Sequence, residues 1–376
     1  MRIDSALLEA ARGEFATMLD RLRVLVNCES PSNAPNQLES CATLLHPWLS
    51  TALDRPVQLK RVGENVHLVA EAKEPKVLLL GHFDTVWPVG TTEAWPFSVT
   101  DGIASGPGTF DMKAGIVQAI SAIELLSDSS HVSLLLTSDE EVGSITSRQL
   151  IEDQARKAGA VLVCEPSADG GAVKVGRKGI ANYRVEVTGK AAHAGLEPEL
   201  GVNAAVELAH QILKIAGLAT RETSVTPTVL AAGTTVNTVP EHAQCEVDAR
   251  SWTTADLERI DHAMNALTPR LPNAVVTVSG GIDRPPFEEP IARWLYAEAS
   301  SAARELGLAP LQAVRSGGGS DGNLTAAIGV PTLDGLGAVG GHPHARNEHV
   351  NVNVMPERAA LLAALLDRLG QRSTAA

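Results

Sequence analysis

Cysteine is scarce in this chain, and no long apolar run interrupts it. Only four of the 376 residues are cysteines, at positions 28, 41, 164 and 245, and none has C-x-x-C spacing. This distribution argues against a disulfide framework and a thiolate zinc site, and it predicts a reducing compartment, the cytoplasm. No apolar run has membrane-spanning length. Charged residues punctuate the first thirty positions, so we also expect no secretory signal.

Basic residues are outnumbered by acidic ones. The sequence contains 31 Lys and Arg against 44 Asp and Glu, which gives a formal net charge of −13. No basic cluster stands out, so we expect neither nucleic acid nor a membrane surface as a partner. The overall field would not attract an anionic substrate, and local arginines or metal cations would have to recognise it.

The length of the chain predicts two domains. Three short apolar runs alternate with two helical patterns: residues 77–80, 114–126, 132–136, 147–158 and 161–163. Short buried strands that alternate with helices predict a mostly parallel sheet covered on both faces, which is an α/β fold. A longer amphipathic pattern over residues 6–27 predicts a single opening helix.

The pattern changes near residue 179. From there the runs follow a β-α-β-β-α-β order, which is typical of a ferredoxin-like α+β domain. Residues 280–286 are rich in Gly and Pro and have the composition of an exit linker. We therefore predict a catalytic domain in two parts, residues 1–178 and 284–376, interrupted by an inserted domain at residues 179–283.

Polar side chains gather where the predicted strands end. His82 and Asp84 follow the first strand, Glu140 and Glu141 the second, and Glu165 the third. The carboxyl ends of parallel strands meet at one edge of an open α/β sheet, which is where such sheets bind ligands. Two further candidates come from loops: Asp111 and His344.

These residue types favour a metal site. Nitrogen and carboxylate ligands without thiolate suit zinc, with manganese or cobalt as alternatives. A single catalytic metal needs only about three protein ligands, so the larger set predicts two metal ions, about 3.5–4 Å apart, that share one carboxylate. Because Glu140 and Glu141 are adjacent, we expect them to point in different directions and leave one as a base. Taken singly, each residue also has a purely structural interpretation. A histidine could belong to the core, Asp111 could cap the following helix, and Glu140 and Glu141 could lie in a solvated turn.

Several segments together resemble the dinuclear zinc aminoacylase and carboxypeptidase family. They are GHFDTVWPVG, GPGTFDMKAG, TSDEEVGS, CEPS, GKAAHAG, SGGGSDGN and HARNEHV. They occur in order over nearly the whole chain, and the likeness is greatest to the glutamate-specific branch of the carboxypeptidase G type. The resemblance implies a zinc-peptidase-like catalytic domain and an inserted lid that forms a homodimer.

The resemblance also implies a ligand set. Asp111 resembles the carboxylate that bridges the two zinc ions. His82 and Glu165 would hold one ion, and Glu141 and His344 would hold the other.

Catalytic roles follow from the same motifs. Glu140 resembles the general base, and Asp84 resembles the carboxylate that orients His82. His193 in the inserted domain resembles the histidine that stabilises the oxyanion, often across the dimer.

The resemblance implies a substrate as well, an N-acyl amino acid or a short peptide. Asn237 and Arg250 lie where the glutamate branch holds the substrate carboxylate, and Arg284 resembles a further substrate-binding arginine. The segment at 173–179 departs from that branch, because its basic residues only flank the position of the expected lysine: Lys174, Arg177 and Lys178. The sequence therefore leaves two alternatives for the released product, glutamate or a different amino acid. His344 is preferred to His342 because it keeps the H-x-x-x-E step of the family.

Other classes of function are also compatible with parts of the sequence. Residues 318–322 fit the G-x-S-x-G pattern of a serine hydrolase, with Asp334 and His344 downstream in hydrolase order. A short polar run precedes this motif, whereas the hydrolase turn follows a strong strand. A non-catalytic binding protein on the same fold would have lost a ligand or the base, and none is missing here.

Overall fold

The computed structural model describes residues 3–372, with side chains from residue 6 onward. These residues divide into two compact units. The first contains the chain up to residue 176 together with 288–316 and the segment from 320 onward, and the second contains 177–287 and 317–319. The second unit thus starts at 177 rather than the expected 179 and ends at 287 rather than 283. The reason is an antiparallel bridge between Arg177 and Phe287.

Helices occur throughout the described chain, and none is both long and apolar enough to cross a membrane. In chain order the α-helices are α1 (Ile3–Gly13), α2 (Phe15–Asn27), α3 (Pro35–Leu53), α4 (Thr91–Ala94), α5 (Ala114–Glu124), α6 (Arg148–Lys157), α7 (Ala204–Ala216), α8 (Thr254–Asn265), α9 (Arg293–Glu305), α10 (Asp321–Ala327) and α11 (Met355–Gln371).

The strands are mostly short. In chain order they are β1 (Gln58–Val62), β2 (Asn65–Ala70), β3 (Val77–His82), β4 (Ser98–Thr100), β5 (Ile103–Ser105), β6 (Val132–Thr137), β7 (Val161–Val163), β8 (Val173–Arg177), β9 (Gly179–Thr188), β10 (Ser224–Ala232), β11 (His242–Ser251), β12 (Val275–Arg284), β13 (Ala313–Ser316), β14 (Thr332–Leu333), β15 (Gly340–Gly341) and β16 (His349–Asn351).

The central sheet of the first unit has the order β1-β2-β6-β3-β7-β14. The neighbours β6, β3, β7 and β14 run parallel, whereas β1 and β2 add an antiparallel edge. Every residue of β3, β6 and β7 is buried. The prediction of a mostly parallel α/β sheet with these three apolar runs as strands is therefore confirmed.

Helices cover both faces of this sheet. Leu78 and Leu80 of β3 pack in one cluster with Ile151 of α6 and Leu324 of α10. Helices α5 and α11 also contact β3 and cover the other face. The burial of each of these apolar side chains stabilises the folded chain by about 1.5–3 kcal/mol relative to its exposure in water. This packing fixes the strand ends that carry the polar residues.

Two glycines let the chain approach closely beneath those strand ends. A Cβ on Gly115, at the start of α5, would lie 2.1 Å from the carbonyl oxygen of Cys164. A Cβ on Gly81 would lie 2.6 Å from Cε of Met112. At position 115 the neighbour is backbone, so only glycine lets α5 lie directly against the end of β7, whereas at position 81 the flexible end of the Met112 side chain would have to move.

The second unit contains one antiparallel sheet with the order β10-β11-β9-β12. Its chain order, β9-α7-β10-β11-α8-β12, is the ferredoxin-like β-α-β-β-α-β order that the sequence predicts. Residues of β9 alternate in burial, and Tyr183, Val185 and Val187 pack in the core of the unit with Leu208 of α7 and Ile260 of α8. Whether this unit acts as a lid or a dimerisation domain stays a prediction.

Two local predictions are wrong. The opening pattern is divided between α1 and α2, because the helix is interrupted at Glu14, where the backbone has a φ of −85° and a ψ of 1°. Residues 280–286 are not a free linker, since β12 pairs with β9 as far as Arg284. Composition suggested a loop there, but the ladder continues through Gly280 and Gly281, which tolerate positive φ.

Candidate metal centre

Seven of the residues that the sequence singles out lie in the first unit, most of them at or just beyond its strand ends. His82 is the last residue of β3, Asp84 follows it, and Glu165 comes two residues after β7. Glu140 and Glu141 open a short 3₁₀ turn, Glu140–Val142, beyond β6. The other two lie outside the sheet: Asp111 is in a single π-helical turn, Thr109–Lys113, directly before α5, and His344 is in the loop between β15 and β16.

Asp111 lies between the two histidines. Its Oδ1 is 3.3 Å from Nε2 of His82, and its Oδ2 is 3.4 Å from Nε2 of His344. Glu165 Oε1 is 3.3 Å from the same nitrogen of His82, and Glu141 Oε2 is 3.1 Å from Nε2 of His344. Each imidazole therefore faces one carboxylate of its own and shares Asp111 with the other.

These separations fit metal ions. Ligand atoms at the usual zinc distances of about 2.0–2.1 Å, in tetrahedral geometry, lie about 3.3–3.4 Å from one another. The nitrogen–oxygen separations around Asp111 match that spacing. His82 Nε2 and Asp111 Oδ1 are also fully buried, and neither has a hydrogen-bond partner among the described residues. Buried polar atoms are almost always satisfied, so a cation between them would account for both.

Glu140 and Glu141 are directed to different places. A carboxylate oxygen of Glu141 groups with His82 and Asp111 within 4.8 Å, whereas one of Glu140 groups with His82 and Glu165. Glu141 also contacts His344, with its Oε2 3.1 Å from Nε2. Both glutamates thus lie within reach of a metal ion, and which of them is a ligand and which is a base stays a prediction.

Asp84 organises more than one partner. The backbone carbonyl of Asp84 lies 3.0 Å from Nδ1 of His82, closer than its carboxylate, which is 3.4 Å away. The carboxylate accepts hydrogen bonds from the backbone N–H groups of Glu140 and Glu141, each at 3.2 Å, and from the hydroxyl of Ser32 at 2.7 Å. The sequence predicted only the contact to His82. The buried carboxylate also ties the two-glutamate turn to the end of β3.

The electrostatics of the site follow from this crowding of carboxylates. Burial alone would lower the pKa of His82, but the surrounding carboxylates of Asp111, Asp84 and Glu165 outweigh it and raise the pKa well above its ordinary value. Asp111 and Glu141 raise the pKa of His344 to about 10. In return, the two histidines hold the pKa of Asp111 below its usual range although burial opposes this.

Glu348 is a further functional candidate, for which the sequence indicated only the spacing to His344. Its carboxylate is buried and accepts hydrogen bonds from the backbone N–H groups of Phe110 at 2.8 Å and Asp111 at 3.1 Å. Burial raises the pKa of Glu348 to about 7. The H-x-x-x-E step from His344 was the signal that could have identified it.

Two further buried carboxylates hold the turn after β6. Asp139 accepts hydrogen bonds from the backbone and hydroxyl groups of Thr146 and Ser147. Asp321 accepts from the hydroxyls of Thr137, at 3.1 Å, and Ser144. The segment that carries the two glutamates is thus fixed at both ends. Each of these contacts joins residues that periodicity alone does not bring together.

The serine-hydrolase arrangement is absent from the described residues. Ser320 is fully buried as the N-cap of α10, and its hydroxyl donates to Asp334 Oδ2 at 2.7 Å. His344 instead faces Asp111 and Glu141, as described above, so no histidine is placed to activate this serine. The structure also distinguishes the two neighbouring histidines, since the ring of His342 packs against His349.

The remaining four predicted residues belong to the second unit. His193 is exposed, and its Nδ1 accepts the N–H groups of Gly195 and Leu196, each at 3.1 Å. The backbone carbonyl of Asn237 accepts from Ala194, which brings Asn237 next to His193 in this unit. The other two predicted residues, both arginines, lie elsewhere in the unit.

Arg250 and Arg284 differ in accessibility. Arg250 lies on β11 and donates to Asp248 at 3.1 Å and to the carbonyl of Gly317 at 3.3 Å, while 36% of its side chain stays exposed. Arg284, at the end of β12, is only 4% exposed. Arg250 is therefore the more accessible of the two to a ligand.

Known sequences are similar to this chain over most of its length. The profile of Peptidase family M20/M25/M40 matches residues 78–368. Carboxypeptidase G2 of Pseudomonas sp. (strain RS-16) is 32% identical over 387 residues, which cover 98% of this chain and 92% of that protein. Succinyl-diaminopimelate desuccinylase of Xanthomonas euvesicatoria pv. vesicatoria (strain 85-10) is 29% identical over 336 residues, with 82% and 88% covered.

Solved structures show the same fold. Aminopeptidase PepT from Bacillus cereus ATCC 10987 superposes with a TM-score of 0.76 at 23% identity, covering 95% of this chain and 99% of that one. The Bacillus subtilis YXEP protein, described as a dinuclear metal binding peptidase from the M20 family, gives a TM-score of 0.69 at 15% identity, with 96% and 100% covered.

The raised histidine pKa values predict proton release on metal binding. A metal ion binds the neutral form of an imidazole. The neighbouring carboxylates raise the pKa of His344 to about 10 and also raise that of His82, so both rings carry an extra proton near neutral pH. A metal ion must displace these protons when it binds. Near neutral pH, titration of chelator-treated protein with zinc should release about two protons per chain, and the affinity should fall as the pH falls.

Isothermal titration calorimetry in buffers of different ionisation enthalpy measures this number. His344→Gln should release about one proton fewer than the unmodified chain. A binding enthalpy that does not depend on the buffer would contradict the electrostatic account.

Proposed function

Because the chain belongs to the M20/M25/M40 peptidase family, we propose that it is a zinc-dependent amidohydrolase that releases a C-terminal amino acid, glutamate by preference. The substrate would be an N-acyl amino acid or a short peptide. The observation that carries this proposal is the pair of histidines on one shared carboxylate, at the separations that zinc ligands have. Manganese or cobalt could replace zinc in the same oxygen and nitrogen ligand set.

The ligand set divides about Asp111. His82 and Glu165 would hold one ion, Glu141 and His344 would hold the other, and Asp111 would serve both. When bound, two such ions lower the pKa of a water molecule and polarise the carbonyl of the scissile amide.

The proton transfers are assigned to Glu140. As the general base it takes a proton from the attacking water, and it then gives that proton to the amide nitrogen as the C–N bond breaks. The products are a carboxylic acid and the free amine of the released amino acid. Asp84 supports this step indirectly, because its carboxylate holds the backbone of Glu140 in place.

His193 is assigned to the oxyanion. Its Nδ1 accepts two backbone N–H groups, so the neutral ring carries its proton on Nε2 and can donate from there. A donor directed at the developing negative charge lowers the barrier. This assignment comes from the family motif and includes the option that His193 acts across a dimer.

Recognition of the released amino acid is assigned to Asn237, Arg250 and Arg284 by the same motifs. The exposed part of Arg250 supports its role, because a guanidinium can bind a carboxylate with two parallel hydrogen bonds. An aminoacylase or deacylase of other N-acyl amino acids is the second candidate. The absence of a lysine at the expected position in 173–179, together with the likeness to a desuccinylase, favours this alternative.

We expect release of glutamate to exceed that of other amino acids when the zinc-loaded protein meets a panel of N-acyl amino acids, including acyl- and folyl-glutamates. A chelator should abolish the release, and added zinc should restore it. Quantification of each free amino acid gives the result directly. Preferential release of neutral amino acids would identify an aminoacylase, and release that ignores the chelator would contradict the metal assignment.

The variant Arg250→Ala, assayed on the same panel, tests whether Arg250 binds the carboxylate of the substrate. It should raise KM for glutamyl substrates about tenfold or more, because a charge-assisted hydrogen bond is lost. An unchanged KM would remove Arg250 from the substrate site.

Replacement of the base should separate catalysis from metal binding. Glu140→Gln should lower kcat by at least ~100-fold while the zinc content stays at two per chain. Glu141→Gln, the adjacent control, should instead lower the zinc content. Metal analysis and steady-state kinetics on both variants measure the difference, and near-normal activity of Glu140→Gln would refute the assignment.

We also propose that the second unit is a lid through which the chain forms a homodimer. Large apolar side chains are exposed on α7, with Leu213 at 74%, and on β10, with Leu230 at 58%. Strand β10 lies at the edge of its sheet and so offers unpaired backbone groups. Sedimentation equilibrium should give a dimer, and Leu213→Glu combined with Leu230→Glu should give a monomer. A monomeric unmodified chain would contradict the proposal.

A further inference from the structure

The loop that carries His344 has a strained backbone. It connects β15 to β16, and both His342 and His344 adopt positive φ angles, 58° and 61°. Residues other than glycine rarely adopt this conformation, and it persists only where the surroundings hold it. Some contact must therefore hold the loop.

Glu348, at the end of that loop, supplies one such contact. Its Oε1 accepts the backbone N–H groups of Phe110 and Asp111, at 2.8 and 3.1 Å. Its Oε2 accepts the backbone N–H of Gly108, at 3.2 Å, and Nε1 of Trp87, at 2.9 Å. One buried side chain thus joins the His344 loop to the segment that carries Asp111.

Two tryptophans also contact this loop. The guanidinium of Arg346 lies 5.7 Å from the ring centroid of Trp87 and 5.9 Å from that of Trp95. The two rings meet edge to face with centroids 5.0 Å apart. Trp95 donates to Ser105 Oγ at 3.1 Å, and that hydroxyl donates to the carbonyl of Glu348 at 3.1 Å. We call Trp87 and Glu348, whose side chains share a hydrogen bond of 2.9 Å, the loop clamp.

The two halves of the metal centre differ in how they are supported. His82 ends a fully buried strand, and Glu165 follows another, so the core of the sheet holds them. His344 has 49% of its side chain exposed and belongs to a loop. Within the described part of the chain, Glu348 joins that loop to Asp111 through a buried carboxylate, which accepts the backbone N–H of Asp111.

We infer that Glu348, oriented by Trp87, is a positioning residue that keeps His344 at the correct distance from Asp111 and so sets the affinity of the second metal ion. The inference rests on the proposed dinuclear site. It predicts that weakening the clamp lowers the affinity for the ion at His344 and Glu141 while the ion at His82 and Glu165 is retained.

The experiment measures zinc bound per chain by equilibrium dialysis at stepped free zinc concentrations, followed by elemental analysis. Trp87→Phe keeps a ring beneath Arg346 but removes the N–H that donates to Glu348. Because Trp87 acts through Glu348, its loss should weaken the second binding step roughly 10-fold, the lower end of the effect of losing a hydrogen-bond partner around a metal site, and leave the first step unchanged. Glu348→Gln should act in the same direction.

Trp95→Phe is the matched control, because its lost N–H donates to Ser105 and not to the Glu348 carboxylate. Its second step should stay close to that of the unmodified chain. Thermal unfolding of each chelator-treated variant shows whether the protein folds. If Glu348→Gln does not fold, the result for Trp87→Phe tests the inference by itself.

The outcomes are distinct. If Trp87→Phe weakens the binding of both zinc ions equally, or of neither, the positioning role of the loop clamp is refuted but the dinuclear site is not. A single zinc ion in the unmodified chain would instead overturn the proposed dinuclear function, and the clamp with it.

Discussion

The first unit depends on one carboxylate held between two imidazoles. Each oxygen of Asp111 faces a different histidine, at 3.3 and 3.4 Å, and each histidine faces a further carboxylate. Burying so many ionisable groups would be costly if they were left unpaired. A pair of divalent cations would satisfy them, and the separations between Asp111 and the two histidines match those of tetrahedral zinc ligands.

The fold supports this centre at two levels. Buried parallel strands bring His82 and Glu165 to the same edge of the sheet, as is general for ligand sites of open α/β sheets. Buried carboxylates then join the loops at that edge: Asp84 holds the two-glutamate turn, and Glu348 holds the segment of Asp111. Hydrophobic packing thus sets the frame, and charge-assisted hydrogen bonds set the positions within it.

Much of this could be predicted from the sequence, since short apolar runs identify buried strands and polar residues that follow them share one edge. The family resemblance extended this reasoning to Asp111 and His344, whose loops lie far from β3 in sequence. What periodicity could not predict were contacts between side chains and distant backbone, such as Asp84 with the N–H groups of Glu140 and Glu141. Periodicity also failed to predict that Arg284 is paired in β12. The Gly and Pro content of residues 280–286 is typical of a linker, but the strand continues to pair with β9 there.

X-ray diffraction at the zinc absorption edge, from crystals grown with zinc, tests the central claim most directly. Our account predicts two anomalous peaks, one between His82 and Glu165 and one between His344 and Glu141, with Asp111 in contact with both. A single peak, or none beside Asp111, would contradict it.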